Sequence, residues 1–211
     1  MKITLFGATG LVGSHVLERL KNSDHQTIIF NRRSIELSTQ NTEQYINKDI
    51  LSECKKQTQA HNSEIIIFAL GSTIKKAGSK EKFKEIDYEL IKNLAQCFSK
   101  DAHIILISAL GANKDSFIFY NKIKGLTETS LKEMGFKRLS IIRPSLIIGE
   151  RNESRPLEAI AQSIMKRLVK ITPQTFKPYT AHYASEIANT VIQSLKGKVS
   201  FENIQVEVCH D

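Results

Sequence analysis

Six short runs of this chain, KITLF, QTIIF, QYINK, EIIIFAL, HIILIS and LSIIRP, read as β-strands, and several of them are apolar on both faces. A strand with no polar face must be covered on both sides. That describes a parallel sheet between two layers of helix. The stretches between the runs supply the helices: LVGSHVLERLK, SKEKFKEIDYELIKNLAQCFSK and SFIFYNKIKGLTETSLKEM. With right-handed crossovers the expected fold is α/β, a doubly wound parallel sheet in three α/β/α layers. After Gly149 the rhythm changes to a polar loop, a helix near 156–170, a proline-containing connector, a helix near 181–195 and a last strand around FENIQVEV. A tail of about sixty residues is too small for a domain of its own. Residues 1–211 therefore read as one domain with a small C-terminal extension, about 150–211, added to the same sheet.

The first strand runs straight into GATGLVG, where Gly7, Gly10 and Gly13 stand three apart and open a helix. One glycine permits the tight turn, one lets backbone approach a pyrophosphate, and one allows helix and sheet to pack closely. The helix beyond offers unpaired N–H groups and positive potential to the phosphates. Gly7, Ala8, Thr9, Gly10, Leu11 and Val12 are thus the expected dinucleotide turn. His15, just inside that helix, reads as a surface residue.

An NAD-binding fold of this kind carries an acid about 20 residues past the glycines, for the ribose 2′-hydroxyl. Here the second strand ends in Asn31, Arg32 and Arg33. A carboxylate would repel a 2′-phosphate, whereas guanidinium groups pair with one through forked hydrogen bonds. The expected cofactor is accordingly NADP(H) in preference to NAD(H). Asp49 and Ile50 follow the third strand, placed for a backbone or carboxylate contact to adenine. Ala69, Leu70, Gly71 and Ser72 follow the fourth, where small residues let the chain pass close to the riboses.

Tyr120 and Lys124 lie one helical turn apart in YNKIKG. Free tyrosine titrates near ~10, and a neighbouring ammonium lowers that value toward useful acid chemistry. Composition narrows the partners. Lys plus Arg exceed Asp plus Glu by 30 to 22, a net charge of +8 that favours anionic ligands. The charge is spread along the chain without interleaved aromatics, which argues against nucleic acid. No apolar run reaches the roughly 18 residues of a membrane span, and the first residues lack an export signal, so a cytoplasmic location is expected. Cys54, Cys97 and Cys209 are odd in number and widely spaced, and read as reduced structural thiols. Cys209–His210 is at most half of a metal site, and no metal is expected.

GATGLVG, ALGST with KAG after it, SALGA, YNKIKG and RPSLIIGERNESRP together resemble the short-chain dehydrogenase/reductases. The resemblance is to their atypical branch with the GxxGxxG turn, and within it to small Tat-interacting-protein-like NADPH-binding proteins and their bacterial relatives. It implies an NAD(P)-binding Rossmann fold with sheet order 3-2-1-4-5-6 and a short seventh strand. It also implies that Ser108 is the active-site serine, that Tyr120 and Lys124 are the YxxxK pair, and that Arg143, Pro144 and Ser145 pass the nicotinamide. Tyr120 would then be the general acid, Lys124 its tuning charge and a ribose contact, and Ser108 the donor that orients a carbonyl. Arg143, Arg151, Glu153 and Arg155 cluster beyond the sixth strand, either to bind an anionic substrate or to pair with one another. The leading expectation is an NADP-dependent oxidoreductase acting on a small carbonyl compound, as monomer or homodimer. The alternative is an NADPH-binding regulatory or partner-binding protein with little turnover.

Overall fold

The structure, a computed structural model, describes residues 1–148, 182–196 and 204–210. Strand β1 (Lys2–Phe6) is followed by α1 (Leu11–Lys21), β2 (Gln26–Asn31) and β3 (Thr42–Ile46). Next come two short helices, α2 (Ile50–Lys56) and α3 (Thr58–His61), then β4 (Ile65–Phe68) and α4 (Ile74–Ala77). Helix α5 (Lys80–Lys84) passes through a π-helical turn (Glu85–Glu89) into α6 (Leu90–Ala95). Then follow β5 (His103–Ile107), α7 (Phe119–Lys132), β6 (Arg138–Arg143), β7 (Ile147–Ile148), β8 (His182–Tyr183), α8 (Ala184–Leu195) and β9 (Gln205–His210).

Seven strands form one sheet in the order β3-β2-β1-β4-β5-β6-β9, parallel except for β9, which runs antiparallel to β6. The expected order is therefore observed, and the extension does add an edge strand. The expected helix near 156–170 and the proline-containing connector lie outside the described residues, as do Arg151, Glu153 and Arg155.

Each face of the sheet buries its own cluster. On one side Ile3, Leu5 and Ile29 pack beneath Val12, Val16 and Leu20 of α1 and Ile187, Ala188 and Val191 of α8. On the other, Phe6, Phe30 and Phe68 stand side by side on β1, β2 and β4, with ring centroids 5.2 and 5.3 Å apart. Each such side chain is worth roughly 1.5–3 kcal/mol in area removed from water. The short helices α2, α3 and α4 escaped the sequence reading because four to seven residues hold too little of a 3.6-residue period to show.

One buried histidine makes the fold acid-sensitive. His103 on β5 bonds Ser140 Oγ at 2.8 Å across to β6. Burial, then the charges of Arg138 and His210, push its pKa down from 6.5 to about 4. The unfolded chain therefore binds a proton below pH 6.5 that the folded chain refuses until about pH 4. Stability should fall by roughly 3 kcal/mol across that window and level off below it. Denaturant midpoints measured from pH 7 to 4 should show this, and His103→Gln should lose that share of the slope.

Candidate functional site

The winding order of the sheet reverses between β1 and β4: one half runs outward through β2 and β3, the other through β4, β5 and β6. In such sheets ligands bind at the carboxyl ends of the strands where the order reverses. The turn after β1 and the loop after β4 meet there, with Ala69 N–H donating to Phe6 O at 2.9 Å. Gly7 has φ +88°, and a Cβ on it would lie 2.5 Å from Ala69 O, so only glycine fits. A Cβ on Gly13 would lie 2.0 Å from Gly7 O, which is how closely α1 is drawn onto the turn. Gly10 is the N-cap of α1 with extended backbone, no side-chain cap and no acid in the first turn. Among the described residues no side chain caps the positive end of this 11-residue helix, which suits it to meet an anion.

At the end of β2, Asn31 is buried with no hydrogen-bond partner for Nδ2 among the described residues. Arg32 and Arg33 project into solvent beside it, and neither forms an ion pair with a described residue. Asp49 is more committed than its sequence position suggested. Its carboxylate accepts from Ser52 N–H at 3.0 Å and caps α2, while Ile50 is buried beneath.

The loop from Ala69 to Ser72 leads to a group that no motif had marked. Asp87, fully buried in the π-helical turn, holds Ser72 N–H with Oδ2 at 2.9 Å and Lys124 Nζ with Oδ1 at 2.7 Å. Thr127, one turn past Ile123 on α7, donates its hydroxyl to the Asp87 carbonyl at 2.7 Å. A π turn breaks the regular backbone ladder, and Thr127 satisfies a carbonyl there. Lys124 itself is only 4% exposed. It is therefore neither a solvated helix lysine nor a bare cation. Burial pulls its pKa down, but the Asp87 carboxylate outweighs this, and the ammonium titrates above its ordinary value. The charge that α7 presents toward Tyr120 is thus already half of an ion pair.

Tyr120 is half-buried in the first turn of α7, its ring 5.4 Å from that of Phe83. Ser108, at the end of β5, is 5% exposed, and its Oγ has no partner among the described residues. The loop between them is pressed onto α7 at Gly125, where a Cβ would lie 2.2 Å from Asn113 C and Lys114 N. This close approach explains the glycine that ends YNKIKG.

The Arg143 guanidinium is engaged by carboxylates of the chain itself. It donates through Nε to Glu128 Oε1 at 2.9 Å and through Nη2 to Glu128 Oε2 at 2.7 Å and Glu207 Oε2 at 2.6 Å. Glu207 also pairs with Lys132. Forked pairing with Glu128, buried on α7 one turn past Lys124, raises the Arg143 pKa further and ties α7, β6 and β9 together. Pro144 follows, its carbonyl accepting from Leu110 N–H at 2.8 Å, so the loops after β5 and β6 are joined next to Ser145.

Comparison with known proteins sharpens the assignment. A family model described as HIM1 matches residues 23–177. The chain belongs to the HIM1 family. The mitochondrial protein fmp52 of Aspergillus niger is 33% identical to this HIM1 chain over 211 residues, covering 93% of it and 89% of the relative. The mitochondrial FMP52 of Candida albicans is 34% identical over 178 residues, 78% of the chain and 75% of the relative. Among solved structures, WbmH of Bordetella bronchiseptica in complex with NAD+ aligns with a TM-score of 0.69 at 14% identity, over 93% of this chain and 72% of that one. The oxidoreductase ylbE of Lactococcus lactis aligns at 0.67 and 19% identity, over all of this chain and 91% of that one. Gre2 of Candida albicans in complex with NADPH aligns at 0.66 and 14%, over 96% and 76%. At these identities the likeness is one of fold, and the resemblance to dehydrogenase/reductases holds at that level within HIM1. The cytoplasmic expectation is overturned, because these HIM1 relatives are named as mitochondrial.

Proposed function

We propose that this HIM1 chain is an NADP(H)-dependent oxidoreductase acting on a small carbonyl compound. The observation that carries the reading is Ser108. A buried hydroxyl without a partner costs roughly 1–3 kcal/mol, and this one stands at the carboxyl end of β5, where a substrate oxygen would supply the missing bond. The dinucleotide is supported by the turn: the open N-terminus of α1 and the backbone approach at Gly7 suit a pyrophosphate. Gly71, Ser72 and Lys124 would line the ribose side.

When bound, a reduced nicotinamide supplies a hydride. Ser108 Oγ donates a hydrogen bond to the carbonyl oxygen and fixes its orientation. Tyr120 gives its phenolic proton to the same oxygen. Lys124, held in place by Asp87, would donate to the ribose and set a positive charge near the phenol. Consumption of NADPH with a panel of small aldehydes and ketones tests the reading. Turnover of none of them, with NADPH still bound, would overturn it.

Cofactor choice has its own test. Charged hydrogen bonds are worth roughly 1.5–3 kcal/mol each, so NADPH should bind about tenfold or more tighter than NADH. The Arg32→Ala/Arg33→Ala variant should bring the two within about threefold, measured by fluorescence titration. Equal affinities in the unmodified protein would remove the preference.

Two observations favour the second reading, a cofactor-binding regulator. The ammonium of Lys124 is neutralised by Asp87, and Phe117 and Ile118, immediately before α7, are strongly exposed. On that reading the apolar pair meets another protein, and binding of NADPH alters its presentation. Absence of turnover together with partner capture that depends on NADPH and on Phe117 would support it.

A further inference from the structure

Two of the three cysteines, 43 positions apart in the chain, meet in the fold. Cys54 in the last turn of α2, His61 at the end of α3 and Cys97 just past α6 each bring one ligand atom, and the three atoms lie within 4.8 Å of one another. Cys54 is fully buried, and His61 and Cys97 are half-buried. The imidazole is held on two sides. Its Nε2 lies 2.8 Å from the Cys54 carbonyl oxygen, and the ring sits edge-on to Phe98, with centroids 6.1 Å apart. An N–H given to a backbone carbonyl leaves the lone pair on the other ring nitrogen, the way metal-binding imidazoles are commonly oriented. A pair of cysteines destined only for a disulfide has no use for this third donor.

We propose that Cys54, His61 and Cys97 form a binding site for Zn2+, separate from the dinucleotide site. Two thiolates and a neutral imidazole bring a divalent cation to zero net charge, so the loaded site can sit beside the apolar cluster of Phe98, Ala60 and Ile91 without an unpaired buried charge. Zn–S bonds near 2.3 Å place tetrahedral sulfurs about 3.8 Å apart, so the ligands need close in by only about 1 Å. Loading is coordination without redox change. Each S–H bond gives its proton to solvent as a Zn–S bond forms, and the metal stays divalent. Three protein ligands leave a fourth position, on the half-exposed side of His61 and Cys97, for water. The ion would pin α2 and α3, which follow β3, to the end of α6.

Metal-free, reduced full-length protein should bind one equivalent of Zn2+ in competition with a chromophoric chelator. Co2+ in its place should give thiolate-to-metal charge-transfer absorption. Cys97→Ser should weaken Zn2+ binding at least about tenfold and abolish that absorption, and His61→Asn should weaken binding and alter the spectrum. Cys209→Ser, which removes the one other thiol, should change neither. The site is disproved by failure to bind Zn2+, by binding that survives Cys97→Ser, or by binding that is lost in Cys209→Ser. Isolation of the protein with a Cys54–Cys97 disulfide and no Zn2+ affinity after reduction would equally disprove it. Should Cys97→Ser fail to fold, the spectra of the unmodified protein and of His61→Asn still decide.

Discussion

Replacing Asp87 by alanine is expected to cost the fold about 3–5 kcal/mol, because it leaves the Lys124 ammonium buried without its counter-charge. In a chain of this size that is a fall in Tm of roughly 6–20 °C. Lys124→Met should cost a similar amount, since it strands the Asp87 carboxylate, which is fully buried and among the described residues retains only Ser72 N–H as donor. Lys124 has its pKa raised above the usual 10.5, so its contribution is complete below that value and is lost only as pH climbs through the folded one. The double variant Asp87→Leu/Lys124→Met separates packing from chemistry. Replacing both charges with apolar groups should recover most of the stability, while NADPH affinity and turnover stay low. If both single variants unfold at the same denaturant concentration as the unmodified protein, the ion pair is not holding α7 to the π turn.

Tyr120→Phe is the sharpest probe of chemistry. It should lower kcat about 10²- to 10⁴-fold, the usual contribution of a positioned proton donor. Stability should hardly change, because the ring contact with Phe83 at 5.4 Å survives without the hydroxyl. The affinity for NADPH should stay within about twofold, which distinguishes loss of the acid from loss of the cofactor. A phenylalanine variant as fast as the original would remove Tyr120 from the reaction.

The sheet was legible because its signal is carried by backbone-scale patterns. Runs such as EIIIFAL and HIILIS have no polar face to show water, and the GATGLVG turn requires glycine for steric reasons visible in any strand–turn–helix context. The site was legible only along the chain. Tyr120 and Lys124 could be paired by spacing, but Asp87 lies 37 positions before Lys124, in a stretch that reads as an ordinary helix. Its role depends on a local π turn that propensity does not encode. The carboxylate partners of Arg143 were hidden for a related reason: Glu128 and Glu207 come from α7 and β9, and which basic residues face carboxylates is decided by tertiary packing. The meeting of Cys54, His61 and Cys97 was hidden likewise, by spacings of 7 and 36 positions that match no short ligand motif.

The π turn has a consequence for how this segment can vary. An α-helix advances about 3.6 residues per turn, so positions four apart drift around its axis. Phe83, Asp87 and Ile91 are four apart and all fully buried, and the wider π turn absorbs the drift that would otherwise swing one of them outward. The segment therefore works like a gear with one extra tooth. Removing a single residue between Phe83 and Ile91 would restore a regular helix and keep both hydrophobic ends meshed with the core. It would also rotate the carboxylate off Lys124, so a length change of one residue here would leave that ammonium buried without its partner, at the cost expected for Asp87→Ala.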